Sequence, residues 1–315
     1  MQADALHPEA QAVLDRRESL DIRPLNEYGP EGARELTAEL RPDVDGPPVG
    51  GVTDRTVPGY DGGPDVPVRV YRPEDEGPVP TVVFFHGGGF VVGDLESHDL
   101  LCRHLCREAG VGVVAVDYRL APEHPFPAAV EDASAATAWV AENPEAVGGD
   151  GRVAVAGDSA GGNLAAVVAL MARDRDGPAI DYQLLVYPVV SAGDDWPSRT
   201  DEATGRIVDE ADMAWFDECY FPSDVNRANP YAHPLEAGCH ADLPPATVVT
   251  AGFDPLRDEG HAYAAALRAD GVPVTYRNYD DVFHGFVGML AEPARLERAH
   301  EAVGDAAGDL RAAFE

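Results

Sequence analysis

Short apolar runs alternate with longer stretches of helical period along most of this chain. Val66–Tyr71 alternates apolar and polar side chains, as a strand with one exposed face does. Thr81–Phe85 and Val111–Val116 are continuous and rich in β-branched residues, as expected of strands buried on both faces. Val153–Ala156, Tyr182–Val186, Thr247–Thr250 and Val274–Tyr279 read as further strands. The spacing predicts helices over Ser97–Ala109, Pro127–Asn143, Gly162–Arg173 and Asp258–Ala269, and a last one over Pro293–Phe314. Alternation of this kind predicts an α/β fold: a mostly parallel sheet covered by helices.

Two segments stand outside the alternation. Residues 1–45 read as amphipathic helix, with Leu6, Val13, Leu14 and Leu20 at roughly helical intervals, and Asp43–Gly51 is a Pro- and Gly-rich turn or linker. Ser191–Leu235 contains no clear strand and gathers Trp196, Trp215, Phe216, Tyr220 and Phe221, like an inserted lid. The organisation expected is therefore an N-terminal helical segment (1–45), an α/β core (46–190 and 236–315) and a lid-like insertion (191–235).

Gly157-Asp158-Ser159-Ala160-Gly161 lies where a strand meets a helix. That is the setting of a nucleophile elbow, whose sharp turn needs small neighbours and lifts the serine hydroxyl clear of the sheet. The helix start behind Ser159 favours developing negative charge. A glycine-rich turn that binds phosphate is the competing reading, but the G-x-G-x-x-G spacing is absent. His86-Gly87-Gly88-Gly89-Phe90 follows the strand Thr81–Phe85. Its glycines let successive N–H groups face a cavity and hold an oxyanion, joined by the N–H of Ala160. His86 reads as structural.

A serine nucleophile needs a base, and the base an orienting carboxylate, in chain order Ser, Asp or Glu, His. Asp254 falls just past the strand Thr247–Thr250, and His284 follows the strand Val274–Tyr279. Function in α/β sheets gathers at such carboxyl ends. Asp258 competes with Asp254 but falls deeper in a helix, and His261 and His300 are helical and poorer bases. Cys102 and Cys106, four apart, could be completed as a metal site by His98 and His104, but a plain helical position is the favoured reading.

Taken together, the HGGGF segment, Gly157-Asp158-Ser159-Ala160-Gly161-Gly162-Asn163, Asp254-Pro255-Leu256-Arg257-Asp258-Glu259 and His284-Gly285-Phe286 resemble the hormone-sensitive-lipase family of α/β-hydrolases, in its GDSAGG branch. So do Asp117–Ala129, a structural loop in that family, and the opening Leu6-His7-Pro8-Glu9. The resemblance implies an α/β-hydrolase fold with an eight-stranded, mostly parallel sheet, helices on both faces and a helical cap made of N-terminal cap helices (1–45) and a cap insertion (191–235). It implies a triad of Ser159, Asp254 and His284, with Gly88, Gly89 and Ala160 as the oxyanion hole, and neither cofactor nor metal. The implied activity is hydrolysis of short- to medium-chain acyl esters, small-molecule substrates, through an acyl-enzyme. Amidase, deacetylase and long-chain lipase chemistries share this machinery, and a non-enzymatic receptor would be expected to lack a triad member. Asn229–Leu235 departs from the family's usual Ser-Pro-Leu pattern, which puts the pocket wall in question.

Composition narrows the field further. The 315 residues carry 56 Asp and Glu against 23 basic residues, all arginine, for a formal net charge of −33. Phosphate backbones and anionic membrane surfaces would be repelled, so nucleic acid is not an expected partner. The absence of lysine removes Walker loops, lysine Schiff bases and Ser-x-x-Lys sites. Scattered acid without lysine resembles proteins of extreme halophiles, where salt must screen self-repulsion, with a Debye length near ~3 Å at 1 M. No apolar run reaches membrane-spanning length and the N-terminus does not read as a secretory signal, so a cytoplasmic location is expected, with homo-oligomers possible.

Overall fold

The computed structural model describes residues 1–20, 22–74, 77–193, 195–201 and 203–315, so residues 21, 194 and 202 of the two expected cap segments lie outside the described residues. One eight-stranded sheet runs through the molecule. Its strands are β1 (Gly51–Val57), β2 (Val66–Arg72), β3 (Val79–Phe85), β4 (Gly112–Val116), β5 (Gly149–Asp158), β6 (Tyr182–Val186), β7 (Ala246–Phe253) and β8 (Val274–Phe283), in spatial order 1-2-4-3-5-6-7-8. β2 runs antiparallel to both its neighbours, and every other pair is parallel. Among the described residues, the helices are α1 (Pro8–Ser19), α2 (Gly29–Leu40), α3 (Asp99–Ala109), α4 (Ala128–Glu142), α5 (Pro144–Val147), α6 (Ala160–Asp174), α7 (Pro197–Thr200), α8 (Glu210–Tyr220), α9 (Asp224–Arg227), α10 (Arg257–Ala269) and α11 (Glu297–Phe314).

The central strands β4, β6 and β7 are buried on both faces, and period-2 geometry divides the side chains of the inner strands between two cores. Val83, Phe85, Val114, Val116, Val153 and Val155 pack under α4, α6 and α10. Val82, Phe84, Val113, Ala115, Ala154 and Ala156 pack under α3 and α11. The central helix α6 is almost wholly buried because it lies in the first of these layers directly behind β5.

The strand β1 departs from the sequence expectation. Thr53, Asp54, Arg55 and Thr56 are all exposed, so it has no apolar run for a hydropathy reading to find. Its charges suit an edge strand, where they discourage further pairing. Residues 1–45 carry α1 and α2; Ala10 and Val13 are buried, while Leu20 is 52% exposed. Pro30 at the start of α2 fits the first helical turn. Arg34 anchors α2 to the core, its Nε donating to Val91 O at 2.8 Å and its NH2 to Ala121 O at 2.9 Å and Glu123 at 2.7 Å. The described residues of 191–235 carry α7, α8 and α9 and no strand. Among the described residues no helix is long and apolar enough to cross a membrane.

Leu164, on α6 and fully buried, tests this packing. Leu164→Ala should cost about 2–5 kcal/mol, read as a lower denaturant midpoint at fixed salt.

Candidate active site

The site is assembled at the carboxyl ends of β3, β5, β7 and β8. Ser159 lies between β5 and α6 with φ 55° and ψ −118°, a conformation that costs a non-glycine residue about 1–3 kcal/mol. Three backbone bonds hold it there: Ser159 N to Val186 O (2.8 Å), and Asn163 N (3.0 Å) and Val189 N (3.3 Å) to Ser159 O. The turn fits only because its flanks lack side chains. A Cβ at Gly157 would overlap the Gly161 carbonyl, and one at Gly161 would overlap Phe85 O.

His284 Nε2 lies 3.0 Å from Ser159 Oγ, and His284 Nδ1 lies 2.9 Å from Asp254 Oδ2. A carboxylate only accepts, so Nδ1 carries hydrogen and, in the neutral ring, Nε2 is left to accept from the serine hydroxyl. Asp254 is fully buried at the end of β7 and also accepts from Leu256 N at 2.8 Å. The Tyr187 ring packs against the imidazole, 4.7 Å between centroids. Burial opposes the imidazolium, but Asp254, with Asp158 and Glu259 behind it, raises His284 above an ordinary histidine.

The HGGG loop adopts positive φ at Gly88 (121°) and Gly89 (58°). A Cβ at Gly88 would overlap Val92 O, and one at Gly89 would overlap the Phe216 ring from α8. Ala160 is the first residue of α6, so its N–H belongs to the unpaired helix start. Tyr118 Oη donates to His86 O at 2.7 Å, tying the 117–129 segment beneath this loop. His86 Nδ1, 2.8 Å from Gly87 O, must donate to that carbonyl. Burial, reinforced by His98, lowers His86 to about 4, so it is a neutral structural ring.

A cavity of about 260 Å³ opens over these groups. Gly88, Gly89, Ser159 and His284 line it, with Leu25 and Thr37 from residues 1–45 and Arg199, Val208, Met213 and Phe216 from residues 191–235. A larger surface cleft of about 430 Å³, beside Trp139 and Arg175, holds none of the serine, histidine or aspartate groups above.

The other sequence candidates go elsewhere. Asp258 accepts from Arg257 Nε (2.8 Å) and Ser198 N (3.0 Å). His261 packs edge-on to Tyr276, and His300 Nε2 meets Leu290 O at 3.1 Å. Cys102 and Cys106 are buried free thiols, while His104 turns to Glu108 and His98 to Asp158. Among the described residues no group of metal-ligating side chains converges. Asn229–Leu235 does not supply the cavity wall: Ala232 O accepts from Asn163 Nδ2 at 2.8 Å, so this segment braces α6 instead.

Two neighbours of the site were not foreseen from the sequence. Asp158 accepts from Gly87 N at 2.9 Å and pairs with His98. Glu259, fully buried, accepts from Val190 N (2.9 Å) and from Arg199 NH2 (2.7 Å), pinning the start of the 191–235 segment beside Asp254. Burial pushes Glu259 up to about 7, against the pull of Arg199. Both residues stand inside visible motifs, but their partners are remote in sequence.

In an NMR titration, His284 should hold its proton to a pH above the ordinary ~6.5. Asp254→Asn should bring the transition down; an unchanged value would contradict the pairing.

A model of the family described as alpha/beta hydrolase fold matches residues 82–288. The carboxylic ester hydrolase LipN of Mycobacterium tuberculosis is 47% identical over 246 residues, covering 76% of this chain and 65% of that protein. The carboxylesterase NlhH of the same species is 45% identical over 282 residues, covering 85% and 86%. Among solved structures, a thermostable esterase from Pseudomonas putida superposes with a TM-score of 0.92 at 38% identity, over 100% of this chain and 99% of that one. A hyperthermophilic esterase from Pyrobaculum calidifontis gives 0.89 at 42% identity, over 98% of each. With the matched segment spanning the elbow, the glycine loop and His284, the chain belongs to the alpha/beta hydrolase fold family.

Proposed function

We propose that this chain is a serine carboxylesterase acting on short- to medium-chain acyl esters. The observation that carries the reading is the continuous hydrogen-bonded line from Asp254 through His284 to Ser159 Oγ, at the floor of a cavity. Relatives named as ester hydrolases support the reaction class. Ser159 attacks the ester carbonyl as His284 takes its proton, and Asp254 stabilises the imidazolium that forms. Negative charge on the carbonyl oxygen is met by the N–H groups of Gly88, Gly89 and Ala160, a type of contact of which each is worth about 10²–10³ in turnover. His284 then protonates the departing alcohol. Water, activated by the same imidazole, releases the acid and restores Ser159.

Residues 1–45 and 191–235 act as a cap, supported by the wall residues each contributes. The limit to short and medium chains rests on size. The cavity falls just below the about 300–1,000 Å³ of pockets that hold drug-sized ligands. Met213, with Arg199 and Asp217, also lines a neighbouring cavity of about 260 Å³, so these residues partition the two spaces. The net charge of −33 supports a further reading, that the fold depends on concentrated salt.

On p-nitrophenyl esters from C2 to C16, activity should peak at short to medium chains. Ser159→Ala should lower it by about 10⁴-fold or more; retained turnover would refute the nucleophile. Met213→Ala should shift the preference toward longer chains while leaving C2 turnover within a few-fold; an unchanged profile would remove Met213 as the partition. The thermal midpoint should rise steeply from dilute buffer to molar KCl, and full stability in dilute buffer would refute the salt requirement.

A further inference from the structure

We propose that His98 is a positioning residue of the oxyanion-binding loop, acting through Asp158 on Gly87. The inference rests on the carboxylesterase reading above and adds a residue to it. Asp158 ends β5, next to the nucleophile, and turns its carboxylate toward the HGGG loop rather than toward His284 Nδ1. Its Oδ1 accepts from Gly87 N at 2.9 Å and stands 3.0 Å from His98 Nε2. A Cβ at Gly87 would touch Oδ2 at 2.5 Å, so the loop backbone rests directly on this carboxylate.

A carboxylate only accepts, so the 3.0 Å pair places a hydrogen on His98 Nε2, while Gly87 N, 3.4 Å from Nε2, makes its shorter bond to Asp158. The opposite edge of the ring is also held, with Nδ1 2.9 Å from Ser97 Oγ. Ser97 is in turn locked by Asp94, whose N–H donates to Ser97 Oγ at 2.9 Å and whose carbonyl accepts from it at 2.7 Å. The ring face leans on His86, 5.6 Å between centroids, and His86 stacks on Tyr118 at 4.2 Å. His98 is thus clamped at both edges and one face, and it fixes the rotamer of Asp158. Asp158 fixes Gly87, and Gly88 and Gly89 follow directly in the chain. Burial works against the ionised Asp158, but His98, with His86 and His284, lowers it net, so the carboxylate stays an acceptor for Gly87. His98 is not a second base: its Nε2 hydrogen is committed to Asp158, and Ser159 Oγ is already met by His284.

The test compares His98→Leu and His98→Gln in the full chain on p-nitrophenyl acetate. Misplacing reacting groups by about 1 Å can cost 10²-fold, so His98→Leu should lower kcat by about that factor. His98 also lines the cavity, so KM is expected to shift, but by a smaller factor than kcat. Affinity for a trifluoromethyl ketone, whose adduct places an oxyanion in the hole, should fall in proportion to kcat. His98→Gln, which keeps an N–H donor toward Asp158, should recover at least about tenfold of that loss. Equal impairment of both variants, a rise in KM with kcat intact, or wild-type kinetics in His98→Leu would each overturn the proposal. Should the leucine variant unfold, Ser97→Ala removes the Nδ1 contact together with the Asp94 bonds that lock it; it should lower kcat a few-fold with a smaller change in KM, and no change in kcat would be an overturning result. An inactive wild type would sink the carboxylesterase reading itself, whereas an active wild type with an indifferent His98 sinks only this inference.

Discussion

The close approach of two backbone turns sets the terms for the rest of the site. Phe85, at the end of β3, presents its carbonyl oxygen to Gly157 and Gly161 at a separation no side chain would allow. That contact brings the serine turn and the HGGG loop side by side, so Ser159, Gly88 and Gly89 face one cavity. It also forces Ser159 into a positive-φ conformation that an isolated peptide would abandon. The parallel pairing of β3, β5 and β6 and the burial of α6 hold the turn in place. Local strain at the site is thus sustained by packing well away from it.

Buried carboxylates are the second constraint. A chain this acidic could place its acids only on the surface, yet Asp158, Asp254 and Glu259 sit among the most enclosed groups of the site. Each is tolerated because donors surround it: Gly87 N and His98, His284 and Leu256 N, Val190 N and Arg199. An unpaired buried charge would cost several kcal/mol, so these pairings are strict. The three acids hold the glycine loop, the base and the start of the 191–235 segment. Together they raise His284 above its ordinary range.

Much of the fold was legible because its signals are local. Parallel strands buried on both faces must be apolar, and the inner parts of β3 through β7 read that way, while the edge strand β8 carries Arg277, Asn278, Asp280 and Asp281. The edge strand β1 escaped because an exposed, charged strand has no period to detect. In residues 1–45 the helical spacing over-reads one position: Leu20 fits it but is 52% exposed. Asn229–Leu235 was expected to bear on the pocket wall because it departs from a pattern, whereas its backbone braces α6.

The sequence by itself determined the strand–helix alternation, the glycine-flanked serine and the order Ser159, Asp254, His284, because each depends on neighbours along the chain. It also determined the charge, which is only composition. The tertiary structure alone decided which histidine meets Asp158. It also placed Phe216 against Gly89 and Met213 between two cavities. Those choices join residues tens to more than a hundred positions apart, and they depend on strand register and helix rotation, which no local pattern specifies.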